Sequence, residues 1–282
     1  MKTVFIILHY QSIEDTLNCI NSIQAMDSQD DLGIIIIDNA SPNGSGQVLA
    51  EKYSSISNIR VILHDYNCGF SHANNIGCEL ARKEWNPEYY VVANNDIIFT
   101  QSDFPAILDS KYKEKPFYIL GPDIYNLRTG KHQSPMGTSA PTRERAQTTV
   151  RLNTIALSLY AITSPLMKLW FKRLNTNASD AALYDQEQTN VYLQGACVIF
   201  SRDYIEERGA AYSPETFFFS EEAIFTRWCE INQKAILYTP ALRVQHNESA
   251  STLSDKDVKR RMRFQMQNIL DSTKIYLETF YK

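Results

Sequence analysis

Short apolar runs alternate with helical patterns over the first 120 residues, and this alternation constrains the fold more than any other feature. Runs rich in β-branched or aromatic residues occupy positions 4–8, 34–37, 60–63 and 89–93, and helical patterns occupy positions 13–25, 46–53 and 72–83. Continuous apolar strands such as "GIIIID" are expected where helices cover both faces of a parallel sheet. The sequence therefore predicts a layered α/β core with a mostly parallel central sheet flanked by helices.

The composition is that of an ordinary soluble protein, with 44% apolar and 21% charged residues among 282. A net charge of −4 argues against general affinity for nucleic acid, so no nucleic-acid partner is predicted. The five cysteines form no CxxC pair, so neither a disulfide framework nor a cysteine zinc site is indicated. Because there is also no signal-peptide pattern and no apolar stretch of about 18 residues, a cytoplasmic location is predicted.

The alternation ends after position 122, and the chain changes character. Positions 128–149 are rich in Thr, Ser, Pro and Gly and predict a loop or an insertion. Positions 145–179 contain no acidic residue, and their apolar residues follow the spacing of a basic amphipathic helix. A second helix with a basic start is predicted over positions 255–281. One apolar face of it comprises Val258, Met262, Met266, Ile269, Thr273, Tyr276 and Phe280.

The basic amphipathic helix has two interpretations, which the sequence leaves open. It packs on the protein's own core, or it lies in the headgroup plane of an anionic membrane, where apolar burial and basic charge act together. Its basic residues are Arg145, Arg151, Lys168, Lys172 and Arg173, and its apolar residues are Leu152, Ile155, Leu159, Ile162, Leu166, Leu169 and Trp170.

Two segments place small polar residues where a strand ends or a helix begins. In "IIIIDNASPNGS", Asp38 and Asn39 follow the second strand, where a carboxylate can accept from the N–H of a pyrimidine base or form an ordinary turn and helix cap. In "NCGFSHANNIG", Gly69 permits close approach of the backbone to a ligand. Asn74 and Asn75 can bind sugar hydroxyls or cap the helix.

Two further segments supply carboxylates. "ANNDI" interrupts an apolar run with Asp96, which can hold Mg²⁺ or Mn²⁺ if a bound diphosphate and a second protein group such as His246 complete the shell. "SPETFFFSEEAIFTRW" offers Ser220 as a helix cap followed by Glu221 and Glu222. Acids at a helix start can complement the helix dipole, or one of them can act as a general base.

In their order along the chain, these segments resemble an inverting family 2 glycosyltransferase with a GT-A fold, of the bacterial capsule, O-antigen or rhamnosyltransferase-like kind. The resemblance covers positions 1–125 and 190–250. The matching residues are His9, Tyr10, Asp38, Asn39, Ser41, the segment from Asn67 to Gly77, Asn94, Asn95, Asp96, Gly195, Ala196, Glu221, Glu222 and His246. Glu222 replaces the Asp that is usual at the second acidic position.

The resemblance implies a Rossmann-like GT-A fold with a helical insertion and a C-terminal helix. It implies that Glu222 or its neighbour Glu221 is the catalytic base and that Asp96 and His246 hold Mg²⁺ or Mn²⁺. The nucleotide-sugar-binding residues that it implies are His9, Tyr10, Asp38, Asn39, Ser41, Gly69, Phe70, Asn75, Asn94, Asn95, Gly195 and Ala196. Within that set Asp38 would contact the nucleobase, Asn94 and Asn95 the ribose side, and Gly195 a sugar.

The same resemblance implies transfer from a UDP- or dTDP-linked sugar to a glycan or lipid-linked saccharide, in the synthesis of a bacterial surface polysaccharide. It divides the chain into a nucleotide-sugar-binding half (1–127), an insertion (128–190), an acceptor-binding and catalytic half (191–250) and a C-terminal helix (251–282). Two alternatives remain, namely a non-catalytic nucleotide-sugar or glycan-binding module and a nucleotidyltransferase. The lack of a Gly-rich basic phosphate loop near the N-terminus counts against the second.

Overall fold

A central sheet organises the computed structural model, which describes residues 2–160, 184–248 and 255–282. Ten strands of the described residues form it in the order β3-β2-β1-β4-β9-β6-β10-β5, while β7 pairs with β6 and β8 with β10. The strands are β1 Thr3–His9, β2 Leu32–Asp38, β3 Ile59–Leu63, β4 Tyr89–Asn94, β5 Ile97–Phe99, β6 Ile119–Asn126, β7 Lys131–His132, β8 Gln188–Thr189, β9 Cys197–Ser201 and β10 Ile236–His246.

Helices cover both faces of this sheet. They are α1 Ile13–Gln24, α2 Ser45–Tyr53, α3 Phe70–Glu84, α4 Phe104–Glu114, α5 Arg143–Ser158, α6 Arg202–Arg208, α7 Glu221–Asn232 and α8 Asp255–Phe280, with a short 3₁₀ helix at Gln29–Asp31. None of the helices within the described ranges is long and apolar enough to cross a membrane.

The first four strands confirm the predicted alternation. β3, β2, β1 and β4 run parallel, and every residue of β2 is buried, as expected of a strand covered on both faces. An apolar core lies on each face of the sheet, and alternate residues of β1 pack into one or the other. Phe5 and Ile7 pack on one face, and Val4 and Ile6 pack on the other. The direction then reverses, because β9 pairs antiparallel with both β4 and β6. A strand that is late in the chain therefore lies next to β4 in the middle of the sheet.

The insertion differs in part from its prediction. The predicted loop at 128–149 ends early, because α5 begins at Arg143, where the Thr142 side chain caps the helix by accepting from the backbone N–H of Arg145. Within the described part of the basic amphipathic helix, Leu152 and Ile155 are more than half exposed. The rest of that prediction, at positions 161–183, lies outside the described residues.

The C-terminal helix α8 is confirmed. Met262, Met266, Thr273 and Tyr276 of the predicted face are buried. Two hydrogen bonds attach α8 to the body of the protein: the Tyr276 hydroxyl donates to the carbonyl of Pro141, and the Ser272 hydroxyl donates to the carbonyl of Phe218. The second bond fixes α8 to the loop that immediately precedes α7.

Candidate active site

The carboxyl ends of β1, β2 and β4 lie along one edge of the sheet. In the parallel register His9 is opposite Asp38, and Leu8 is opposite Asn94. Polar side chains from three segments that are far apart in sequence therefore lie side by side, at the edge where open α/β sheets bind ligands.

His9 is buried, and both of its ring nitrogens have partners. Nδ1 lies 2.6 Å from the hydroxyl of Thr16 and Nε2 lies 2.7 Å from the hydroxyl of Ser45. Burial lowers the pKa of His9, against the opposing charge of Asp38 at 3.9 Å. His9 therefore joins the starts of α1 and α2 to β1, while the adjacent Tyr10 is 44% exposed.

Asp38 is buried against the first turn of α2. Its carboxylate accepts from the backbone N–H of Ser41 at 3.2 and 3.3 Å. A Cβ on Gly46 would lie 2.2 Å from the Asp38 carboxylate, so only glycine fits there. The Ser41 hydroxyl in turn accepts from the backbone N–H of Gln11 at 2.8 Å. These contacts hold the β2–α2 turn rigidly beside the end of β1.

Asn39 fastens the loop that precedes α3. Its side-chain amide donates to Asn67 Oδ1 and to the carbonyl of Gly69, and its oxygen accepts from the backbone N–H of Cys68 at 2.9 Å. Asn75 is also occupied, because it exchanges two hydrogen bonds of 2.9 Å with the backbone of Tyr212. Both amides thus bind the protein's own backbone.

Gly69 brings its backbone close to another part of this chain. It adopts φ of +83°, and a Cβ there would lie 2.6 Å from the carbonyl oxygen of Phe217. That carbonyl accepts from the backbone N–H of Phe70 at 2.7 Å, and the Phe70 ring packs edge-on against Tyr212 and Phe218. The glycine is therefore required for contact with the aromatic loop before α7.

Asp96 and His246 face each other because β5 pairs with β10. Their side chains approach to 3.2 Å between Asp96 Oδ1 and His246 Nε2, and Asp96 Oδ1 is buried with no hydrogen-bond partner in the part of the chain that the structure describes. The other ring nitrogen of His246, Nδ1, lies 2.7 Å from Gln133 Oε1. Since an amide oxygen only accepts, Nδ1 bears a proton, and in the neutral ring the Nε2 lone pair is directed at Asp96.

This pair fits a hard divalent cation. Two neighbouring ligands of an octahedral ion with bonds near 2.1 Å are about 3 Å apart, close to the observed separation, and a cation would satisfy the orphaned carboxylate oxygen. Across residues 2–160, 184–248 and 255–282, no group of three or more His, Cys, Asp or Glu side chains is arranged to hold a metal. The remaining ligands would be oxygens from a bound molecule or water.

Asn94 and Asn95, which precede Asp96, differ in whether their side chains are free to bind a ligand. Asn95 donates to the Thr16 hydroxyl at 2.9 Å and to the carbonyl of Ser12. The backbone N–H of Asn94 donates to the carbonyl of Ala196 at 2.9 Å, whereas no described residue forms a hydrogen bond with the Asn94 side chain. Asn94 therefore retains capacity for a ligand.

Glu221 and Glu222 begin α7 after a strained junction. Ser220 is the N-cap residue, but its left-handed backbone (φ +66°) prevents the predicted side-chain cap, and Phe219 is also left-handed (φ +68°). Consecutive non-glycine residues in this conformation are uncommon and concentrate at functional sites. The strain indicates that the position of the two carboxylates is specified closely.

The two glutamates point to different surroundings. Glu221 is buried, with its carboxylate 3.5 Å from the Ser71 hydroxyl, which itself bonds Thr216. Burial and the neighbouring Glu222 raise the pKa of Glu221. Glu222 keeps some exposure and packs closely against Gly195, where a Cβ would lie 2.1 Å from Glu222 Oε1. Burial also raises the pKa of Glu222. A carboxylate with a raised pKa is a better proton acceptor.

A short chain of contacts joins Glu222 to the Asp96–His246 pair. Gly195 contacts the Glu222 carboxylate, and the carbonyl of the next residue, Ala196, accepts from the backbone N–H of Asn94, two residues before Asp96. The pairing of Ala93 with Cys197 fixes this arrangement. The start of β9 therefore lies between Glu222 and the Asp96–His246 pair.

Two contributors were missed by sequence reasoning. Gln133, which orients His246, lies in the segment rich in Thr, Ser, Pro and Gly, where nothing distinguishes it. Phe217 lies in the aromatic run "TFFF" just before the glutamates, and this run is the sequence signal that indicates a packing role for it.

An α/β fold with polar side chains along the carboxyl edge of its sheet is the architecture in which open α/β proteins bind their ligands. The sequence profile described as "Glycosyl transferase family 2" matches residues 4–209, and the chain belongs to this family. The predicted family is thereby confirmed. No curated protein sequence matches the chain.

Solved structures share the fold. TarS from S. aureus (residues 1–349) is 14% identical with a TM-score of 0.55, covering 100% of this chain and 73% of TarS 1–349. Its complex with UDP-GlcNAc is 15% identical with a TM-score of 0.56, covering 99% and 73%. GalNAc-T7 with UDP, GalNAc and Mn²⁺ is 13% identical with a TM-score of 0.59, covering 89% of this chain and 44% of that one. The predicted GT-A fold is confirmed.

Proposed function

We propose that this glycosyltransferase moves a sugar from a UDP- or dTDP-linked donor to a hydroxyl of a glycan or lipid-linked saccharide, with inversion at the anomeric carbon. The observation on which this rests is the contact chain from the Asp96–His246 pair through Ala196 and Gly195 to Glu222. The TarS and GalNAc-T7 structures, obtained with UDP-GlcNAc and with UDP and Mn²⁺, support this donor class. The sequence resemblance favours a role in bacterial surface polysaccharide synthesis.

Asp96 and His246 are the residues that would hold Mg²⁺ or Mn²⁺. The bound cation would supply positive charge to the donor's diphosphate. Asn94, whose side chain no described residue bonds, is positioned for the ribose side of the donor. Asp38 and the exposed Tyr10 lie further along the same edge, on the side proposed for the base.

Glu222 is the proposed base, in preference to Glu221. Glu221 is turned inward to Ser71, whereas Glu222 is partly exposed beside Gly195. Glu222 removes the proton from the acceptor hydroxyl, and the oxygen forms a bond to the anomeric carbon. The bond from that carbon to the diphosphate oxygen breaks on the opposite side, so the nucleoside diphosphate leaves with the electron pair and the configuration inverts. A positioned base accelerates such a step by about 10²- to 10⁴-fold.

Donor binding is tested by thermal unfolding of the purified protein with a panel of UDP- and dTDP-sugars, with and without Mn²⁺. A donor at about 100 times its Kd raises the free energy of unfolding by about 2.7 kcal/mol, which appears as a higher Tm. We expect one donor to raise Tm only when Mn²⁺ is present, and Asp96→Ala to abolish that increase.

The matched control is Asp30→Ala. Asp30 is an exposed acid beside the start of β2, at the opposite edge of the sheet, and should leave the donor response intact. An equal response in Asp96→Ala would contradict the cation assignment. Donor binding without any transfer to acceptors would instead favour a non-catalytic binding module.

A further inference from the structure

A groove of about 950 Å³ lies between the start of α8, the end of α5 and the loop before α7. Three cationic side chains line it, Lys259, Arg260 and Arg263, together with three aromatic ones, Tyr160, Phe217 and Phe264. We call this the basic aromatic groove. Two amide side chains complete the lining, and no acidic side chain borders it among the described residues.

The positive charge of this groove is not neutralised by the described part of the protein. No ion pair engages Lys259, Arg260 or Arg263 among the side chains that the structure describes. Asp255 and Asp257 precede these residues on α8, and the next acid along the helix is Asp271, which accepts from Gln267. The whole chain carries a net charge of −4. Attraction to an anionic partner must therefore come from a local patch and not from the overall charge.

Exposed apolar groups accompany this charge. The rings of Phe217 and Phe264 pack edge-on at 6.2 Å yet are 38% and 48% exposed. Two residues after the end of α5, the Tyr160 hydroxyl donates to the carbonyl of Lys259. On α5 itself, Leu152 is 52% and Ile155 is 57% exposed. Basic residues combined with exposed aromatic and aliphatic groups on helices are typical of surfaces that lie on anionic bilayers.

We propose that the basic aromatic groove and the exposed face of α5 dock the protein on an anionic lipid bilayer. Lys259, Arg260 and Arg263 bind headgroup phosphates, while Phe264 and the aliphatic side chains of α5 enter the boundary between headgroups and acyl chains. An acidic peptide would match the cations alone, and nucleic acid would match the cations and the aromatic rings but not the exposed aliphatic side chains of Leu152 and Ile155. The bilayer also accounts for the exposed apolar groups.

The position of the groove gives this surface a functional consequence. Phe217 lines the groove and lies four residues before Glu221. Its carbonyl accepts from the backbone N–H of Phe70. A protein docked through this surface would therefore present the glutamate end of α7 close to the membrane. Vesicle binding itself requires neither donor nor transfer, so its failure would leave the proposed function untouched.

The test is cosedimentation of the full chain with vesicles of equal parts phosphatidylcholine and phosphatidylglycerol, compared with phosphatidylcholine alone. We expect binding only to the anionic vesicles, and weaker binding at high salt. Each basic residue near the surface contributes about a fivefold factor, so Arg260→Gln with Arg263→Gln should weaken partitioning about 25-fold. Leu152→Asn with Ile155→Asn should also weaken it.

Matched controls use equally exposed residues elsewhere. Lys52→Gln with Lys274→Gln removes two exposed lysines, and Val48→Asn with Ile231→Asn removes aliphatic residues that are 52% and 53% exposed on other helices. Circular dichroism verifies folding of each variant. The proposal is overturned if the groove variants bind like these controls, or if neutral vesicles bind equally. It is also overturned if inorganic pyrophosphate binds the groove while vesicles do not.

Discussion

At the carboxyl edge of the sheet, individual polar residues differ in how much hydrogen-bonding capacity their neighbours leave them. His9, Asn39 and Asn75 are bonded at both polar ends by the protein itself. Asp96 Oδ1 has no hydrogen-bond partner among the described residues, and Glu222 keeps some exposure. Buried polar atoms that lack partners are costly, so a ligand that satisfies them binds with a matching gain. The first group builds the edge, and the second is available for chemistry.

Gly195→Ala tests the position of Glu222. The added Cβ would lie 2.1 Å from Glu222 Oε1, so the carboxylate must move. Since a misplacement of about 1 Å can cost about a hundredfold in rate, we expect kcat to fall by about that factor with donor affinity retained. Steady-state kinetics and donor titration measure the two quantities.

Gly137→Ala is the control, because no atom lies within 4 Å of a Cβ at that position. It should leave kcat unchanged. If Gly195→Ala retained full kcat while remaining folded, the close contact with Glu222 would have no role in catalysis.

At the scale of elements, the junction into α7 departs most from standard helix geometry. Replacing Ser220 with glycine should stabilise the folded protein. The left-handed conformation costs a non-glycine residue roughly 1 kcal/mol, and the Ser220 side chain forms no capping bond with the described residues. We therefore predict that Ser220→Gly raises the free energy of unfolding by up to about 1 kcal/mol, as measured by urea denaturation.

Ser201 provides the opposite case. It is the N-cap of α6 with an extended backbone, and its hydroxyl accepts from the backbone N–H of Tyr204. Ser201→Gly should therefore lower stability. A loss of stability in Ser220→Gly comparable to that in Ser201→Gly would show that the Ser220 side chain stabilises the junction.

For the whole molecule, the local patterns predicted β1 to β4 and α1 to α3 to within about two positions at each end, whereas β5 and α4 were not predicted. For β1, β2 and β4 they succeeded because these strands are buried on both faces, which imposes unbroken apolar runs. The placement of β9 beside β4 could not be predicted in this way, because strand pairing depends on contacts between residues that are distant in sequence. For the same reason, nothing local indicated that Gln133 contacts His246 or that Gly69 contacts Phe217.

The most direct test of the central claim is the turnover of Glu222→Gln with the donor and cation identified by thermal unfolding. Gln has nearly the same shape as Glu but is not a base, so we expect donor affinity within about threefold of the parent and turnover reduced about a hundredfold or more. Turnover close to that of the parent protein, with donor affinity unchanged, would contradict the assignment of Glu222 as the group that accepts the acceptor's proton.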